Sequence, residues 1–259
     1  MYLAIDIGAT KTLIGLFSPR GRKVKTLKFT TNHDQKKFSN TLSEKLKGFK
    51  KYDVKTVVIA VPGVVQKNCS VKFGNLPWKN IRLDTLLKQY FSCPIYIKND
   101  ADLSTIFESH RRNGLCVFLT LSTGIGGGIA KDGEIVANSG QFEPGHDFYV
   151  FRGKPTEWED IVSAKAVKTK YRTLSSEIYD SKALDDIAHR LSLGLTDIIN
   201  EYHPDCIILG GPLGAILPRY KKYLKQYLSP LSPLPKFVKA KRPAESVIYG
   251  CYLYAKSKN

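Results

Sequence analysis

Two apolar strands, each running directly into a turn of small residues, constrain the fold of this chain more than any other feature. The first is Tyr2-Leu-Ala-Ile-Asp-Ile-Gly8; the second is Cys116–Leu121, opening onto Ser122-Thr-Gly-Ile-Gly-Gly-Gly128. A hairpin partner follows each, Lys11–Phe17 in the first case and Gly128–Lys131 in the second. Val24–Thr30 reads as a third strand. Phe38, Leu42 and Leu46 recur once per turn and predict a helix over Asp34–Phe49. The β-branched run Thr56–Val61 predicts a central strand closed by Pro62-Gly63. Asp84–Phe91 and Ala101–Arg112 read as helices on either side of a strand at Ile95–Ile97. In the second half, Leu184, Ile187, Ala188, Leu191, Leu195, Ile198 and Ile199 form one stripe along a helix over Ser181–Tyr202, with Ser181 as its cap and Pro204 as its stop. Cys206–Leu209 is a strand running into Gly210-Gly211, Ser229–Pro235 a loop, and Ser246–Ala255 a closing helix. The order hairpin, strand, helix, strand, helix therefore occurs twice, which predicts a duplicated α/β architecture with a cleft between the halves.

A chain of 259 residues accommodates two such halves. The expected division is residues 1–113 and 114–243, with the helix over about 244–259 returning to the first domain. No apolar run approaches the roughly 20 residues a membrane span needs, and the start has no signal-peptide pattern, so the expected location is the cytoplasm. The five cysteines are scattered and odd in number, which argues against a disulfide framework or a local zinc knuckle. Charge is the abnormal quantity: 40 Lys and Arg face 23 Asp and Glu, a formal +17. The excess is concentrated in Arg20–Lys55 and Arg219–Arg242. Such a surface suits nucleic acid, an anionic membrane or an anionic substrate. The basic stretches carry neither the aromatic–glycine pattern of an RNA-binding sheet nor a helix-turn-helix, so specific nucleic-acid or membrane binding is not expected.

Three glycine-bearing turns carry candidate chemistry. Around Asp6, the small Gly8, the hydroxyls of Thr10 and Thr12 and the cation of Lys11 suit phosphate oxygens, and the strand-end carboxylate of Asp6 suits Mg²⁺. Taken alone, this segment reads equally well as an ordinary hairpin with an incidental lysine. In Ser122–Gly128 the glycines would weaken a strand unless backbone must approach something closely. No helix follows as a dinucleotide site requires, so a second phosphate-binding hairpin, with Thr123, Gly124 and Gly126, fits better. Gly210-Gly211, where a strand opens onto a helix, suits an adenosine lying flat on backbone.

Seven segments in order resemble the ROK family (repressor, open reading frame, kinase) of sugar kinases. They are the Asp6 loop, Val61-Pro-Gly-Val64, Asn75-Leu-Pro-Trp78, Asn99-Asp-Ala101, the Gly124–Gly128 loop, Glu143-Pro-Gly-His146 and Ile207–Gly211. The resemblance implies a two-domain actin-like ATPase (ribonuclease H-like) fold with an interdomain cleft. It further implies ATP-dependent phosphorylation of a hexose, glucose at O6 first, with ATP and Mg²⁺ as cofactors and a homodimer as the assembly. Asp100 would be the catalytic base. Gly63, Asn75, Asn99, Glu143, His146 and Glu159 would join it in holding the sugar.

Two departures from the family pattern stand out. The cysteine cluster that binds zinc in many members, together with the histidine of E-x-G-H, is absent between Tyr149 and Glu159, so no zinc is expected and His146 needs another partner to fix its tautomer. Ser122 stands where the family usually has glycine, which is tolerable at negative φ. Nothing before Met1 offers a DNA-binding domain, so the repressor branch is not expected. Fructose, mannose or an N-acetylhexosamine remain alternative acceptors, a non-catalytic sugar or nucleotide sensor an alternative class, and a basic nucleic-acid scaffold a third.

Overall fold

The computed structural model describes residues 1–63, 65–66, 69–70, 76–79, 81–136 and 142–259, giving only backbone at 66, 69 and 70. Val64 and Asn75 of the expected motifs lie outside this set. In chain order the first elements are β1 (Tyr2–Ile7), β2 (Lys11–Phe17), β3 (Lys23–Thr30), α1 (Gln35–Lys47), β4 (Thr56–Val61), β5 (Val65–Gln66) and β6 (Cys69–Ser70). There follow α2 (Leu83–Lys88), β7 (Ile95–Asn99), α3 (Asp100–Ser109), β8 (Leu115–Leu121), β9 (Ile125–Lys131) and β10 (Glu134–Ile135). Then come β11 (Phe148–Phe151), β12 (Lys154–Glu157), α4 (Trp158–Val162), α5 (Ala164–Tyr171) and α6 (Ser181–Tyr202). The chain closes with β13 (Cys206–Gly210), α7 (Gly211–Ala215), α8 (Leu217–Tyr227), β14 (Lys236–Lys239) and α9 (Ser246–Ser257). Two compact units result: Met1–Phe107 with Ala244–Asn259, and Glu108–Pro243.

The first unit is a five-stranded sheet in the order β3-β2-β1-β4-β7, antiparallel within the first three strands and parallel from β1 through β4 to β7. Alternation along each strand divides its side chains between two apolar layers. Leu3, Ile5 and Ile7 join Val57, Ile59, Val61 and Ile97 in a core with Phe38, Leu42 and Leu46 of α1. Ala4, Val58 and Ala60 pack with Leu103 of α3 and Ile248 and Cys251 of α9. Asp34 caps α1 by accepting from Lys37 N–H at 2.9 Å.

The second unit repeats the topology, β10-β9-β8-β13-β14, again antiparallel into the first strand and parallel onward. Val117, Leu119, Leu121, Ile207 and Leu209 of its central strands share a core with the apolar stripe of α6 and with Tyr220 and Leu224 of α8. Among the described residues no helix is long and apolar enough to cross a membrane.

Three local expectations need correction. The cap of α6 is Asp180, which accepts from Ala183 N–H at 2.8 Å, rather than Ser181; both are good caps, and the chain begins its helical turn one residue earlier. The glycine-rich turn is shorter than the run of glycines: β9 begins before Gly128, so that Gly126 and Gly127 are also strand residues, facing Thr120 and Leu119 of β8. Glycine is needed there because a Cβ on Gly127 would sit 2.6 Å from the Phe142 ring and 2.9 Å from Phe118 O. The hairpin β11–β12 was not foreseen at all.

The seat of α3 depends on Gly250 of α9, where a Cβ would lie 1.9 Å from Leu103 O. That neighbour is backbone, which no rotamer change can move. Alanine gains about 1 kcal/mol of helix propensity over glycine, but forcing two helices apart costs about 1–3 kcal/mol or more. Gly250→Ala should therefore lower the urea unfolding midpoint with m unchanged. A raised midpoint would show that the contact is soft.

Candidate active site

Parallel pairing decides what meets at the carboxyl edge of the first sheet. Asp6 pairs in register with Ala60, and Val61 with Asn99, so β1, β4 and β7 end together. Asp6, the Pro62-Gly63 turn, Asn99 and Asp100 are gathered at this edge, the usual location of ligand sites in α/β sheets. Gly63 has φ +91°, a conformation that favours glycine. Asn99 is 7% exposed; its amide donates to Gly63 O at 2.8 Å while its Oδ1 accepts from Ala101 N–H at 2.7 Å and Asp102 N–H at 3.1 Å. Expected as a sugar contact, Asn99 thus spends most of its capacity on the start of α3, whose first residue is Asp100.

Asp6 lies on the same face of β1 as Ala4, toward α3 and α9. Solvent reaches part of the residue, yet burial of the carboxyl, and secondarily the nearby Asp100 carboxylate, push its pKa from 3.8 up to about 7. Two acids crowded together form the donor set that a divalent ion relieves, so the site fits Mg²⁺. In the adjoining turn Gly8 N–H donates to Lys11 O at 3.0 Å, leaving Thr10 and Lys11 exposed. Thr12, expected at the phosphates, is instead fully buried, and its hydroxyl pairs with that of Thr31 at 2.8 Å.

In the second unit the corresponding edge carries backbone rather than acids. The turn is Ser122–Gly124, with Ser122 N–H donating to Gly124 O at 2.9 Å and Thr123 exposed. Ser122 is not among the residues with positive φ, so a serine there is unstrained. Gly126 is a ladder residue just beyond. Gly211 has φ +73°, and a Cβ there would lie 2.4 Å from Leu121 O; the Gly210-Gly211 backbone thus presses on the end of β8 beside the turn.

Around this turn stand Glu143, His146 and Glu159. Glu143 and His146 flank a 3-10 turn, Pro144–His146, and both are exposed. Glu159 accepts from Ile125 N–H at 3.1 Å. Its Oε2 would lie 2.4 Å from a Cβ on Gly124 and 2.8 Å from one on Gly145, so the two glycines make room for this carboxylate. The anchor is Trp158, fully buried, its indole N–H donating to Arg190 O at 3.1 Å and its ring lying where a Cβ on Gly194 would come within 2.4 Å. Holding Trp158 inward turns Glu157 and Glu159 outward. Glu157, which the motifs passed over, meets His146 Nδ1 at 3.1 Å. Its signal was available, since one tryptophan between two glutamates implies that they flank a buried anchor. Hydrogen bonding to Glu157 is the main cause that raises the His146 pKa, with Glu159 and Glu143 adding to it.

The sequence profile of the ROK family matches residues 2–258. The chain belongs to the ROK family. A fructokinase of Lactococcus lactis subsp. cremoris is 28% identical over 231 residues, 81% of this chain and 78% of the fructokinase. A xylose repressor of Bacillus spizizenii is 29% identical over 185 residues, 61% of this chain, and only 48% of the repressor is matched. Among solved structures, a ROK family protein of Streptococcus pneumoniae in complex with sucrose superposes with a TM-score of 0.86 at 20% identity, covering 99% of this chain and 98% of that one. A ROK family glucokinase of Streptomyces griseus in complex with glucose and AMPPNP gives 0.80 at 20% identity, covering 99% of each chain. The fold of this ROK protein is therefore the actin-like ATPase fold.

The raised pKa of Asp6 has a consequence for stability. A carboxyl that holds its proton more tightly folded than unfolded weakens folding as pH rises from about 4 through about 7. Asp6→Asn removes that loss. Its melting temperature should exceed that of the native protein by several degrees at pH 8, and by less at pH 5. Equal gains at both pH values would show that the cost is not one of charge.

Proposed function

We propose that this chain transfers the γ-phosphoryl group of ATP to O6 of glucose. The reading rests above all on Asp100, held at the carboxyl edge of three parallel strands by the capping hydrogen bonds of Asn99 and standing beside Asp6. A sugar hydroxyl attacks phosphorus poorly while it keeps its proton; Asp100 accepts that proton as the new O–P bond forms and the bond to the ADP oxygen breaks. Mg²⁺ held by Asp6 would neutralise phosphate charge. From the second unit, backbone of the Ser122–Gly124 turn serves the phosphates and Gly210-Gly211 the adenosine. Glu143, His146 and Glu159 accept from sugar hydroxyls, which discriminates against analogues lacking them.

ATP-dependent sugar phosphorylation is supported by kinase relatives that match across most of their length, the fructokinase among them, and by a glucokinase of Halalkalibacterium halodurans at 21% identity. Glucose as the acceptor is the finer step, with fructose, mannose and the N-acetylhexosamines its rivals. The similarity to a xylose repressor favours one second reading, a sensor that binds sugar without turnover.

Purified protein with ATP, Mg²⁺ and a panel of hexoses and N-acetylhexosamines separates these. We expect product with glucose, and Asp100→Asn should lower kcat by about 10²–10⁴ while KM moves a few-fold. An undiminished rate in Asp100→Asn would remove the base from the mechanism. Calorimetric sugar binding by the native chain, with no product formed, would select the sensor.

A further inference from the structure

Resting on the reading of His146 as a sugar contact, we propose that Glu157 is the positioning residue of that imidazole: its carboxylate holds the ring in the Nδ1–H tautomer and leaves Nε2 bare to accept from a sugar hydroxyl.

The neck of the β11–β12 hairpin sets the two side chains opposite each other. Phe148 pairs with Glu157 across the hairpin, and Trp158 N–H donates to Asp147 O at 2.9 Å, one step beyond. His146 directly precedes Asp147, and the buried Trp158 fixes the other side of the neck. The imidazole Nδ1 and Glu157 Oε2 are 3.1 Å apart. An ionised carboxylate only accepts hydrogen bonds, so Nδ1 carries the hydrogen. In the neutral ring Nε2 then presents a lone pair.

A second observation concerns what Glu157 does not do. It occupies the N-cap position of α4, and its carboxylate makes no capping bond there. The carboxylate reaches His146 instead. The His146 side chain is 63% exposed, so without this partner little would restrain its rotamer. A group fixed before the ligand arrives loses less freedom on binding.

The charged groups around the ring agree with this role. Glu157 on β12, Glu159 on α4, and Glu143 and Asp147 on the turn all bear on the imidazole. The ligand atoms of His146, Glu157 and Glu159 lie within 4.8 Å of one another, a spacing that would also suit a cation. Each has a hydrogen-bond partner within the protein: His146 and Glu157 have each other and Glu159 has Ile125 N–H.

The test begins with ¹⁵N-edited NMR of the histidine rings in the full chain, without sugar or nucleotide, above the His146 pKa. The native protein should show His146 protonated at Nδ1. Glu157→Ala should shift it toward the Nε2–H form that a free histidine favours, while Glu157→Gln, whose amide oxygen still accepts, should keep the native tautomer and lower the pKa. With the preferred sugar, Glu157→Ala should raise KM about tenfold with kcat within about twofold, and Glu157→Gln should stay near native. An Nε2–H native ring, or a tautomer indifferent to Glu157→Ala, overturns the proposal. So does one tightly bound zinc per chain that Glu157→Ala releases, because the metal would then orient the ring. A changed tautomer with unchanged KM overturns the sugar-positioning role. Because the tautomer is read without substrate, failure of the kinase reading leaves that result standing and is seen separately.

Discussion

Parallel pairing of β1 with β4 and of β4 with β7 is the constraint on which the rest of the first unit depends. Strands that run the same way end at the same edge, so whatever follows each of them is delivered to one place. Here that delivery sets Asp100 close enough to resist the ionisation of Asp6, whose buried surroundings already disfavour charge. Folding on its own would not select that arrangement. The neighbouring structure holds it in place: Asn99 ties the start of α3 to the Gly63 turn, and Gly250 lets α9 press α3 onto the sheet. A carboxyl held under that strain is of the kind found at functional sites, and a divalent cation would relieve it.

The second unit repeats the topology with a different content. Its strand ends carry glycine backbone where the first carries carboxylates, and the reason is steric. Gly211 must pass against Leu121 O, and Gly124 and Gly145 must leave room for Glu159. Duplication thus supplies the scaffold twice, with carboxylates at the edge of one sheet and glycine backbone at the edge of the other.

What was legible in the sequence follows the range of the interactions involved. The stripe of α6 and the Phe38, Leu42 and Leu46 face of α1 are local, and they read directly from spacing. The doubled order of elements carried the fold. Thr12 was misread because its direction depends on Thr31, a partner in the next strand that no local pattern reveals. Gly126 and Gly127 read as turn residues because glycine weakens strands, whereas a tertiary neighbour, Phe142, is what requires glycine at 127 in β9. The β11–β12 hairpin was missed because its strands are four residues each, with Phe148 and Val150 exposed and Lys154 and Pro155 in the return strand, so no apolar alternation marks it.

That hairpin shows how one structural problem can be solved by different chemistry. The segment between His146 and Glu159 must hold an exposed turn at a defined position, and it contains no cysteine with which to do so. The solution is hydrophobic and local. Trp158 is driven into the core beside Gly194, and burying a tryptophan dominates the energetics of so short a segment. Glu157 and Glu159, on either side of it in the chain, stay part-exposed, one meeting His146 and the other the N–H of Ile125. Both contacts are charge-assisted or partly shielded and therefore directional. A buried ring fixes position while the flanking carboxylates fix orientation, and neither task requires the other's chemistry.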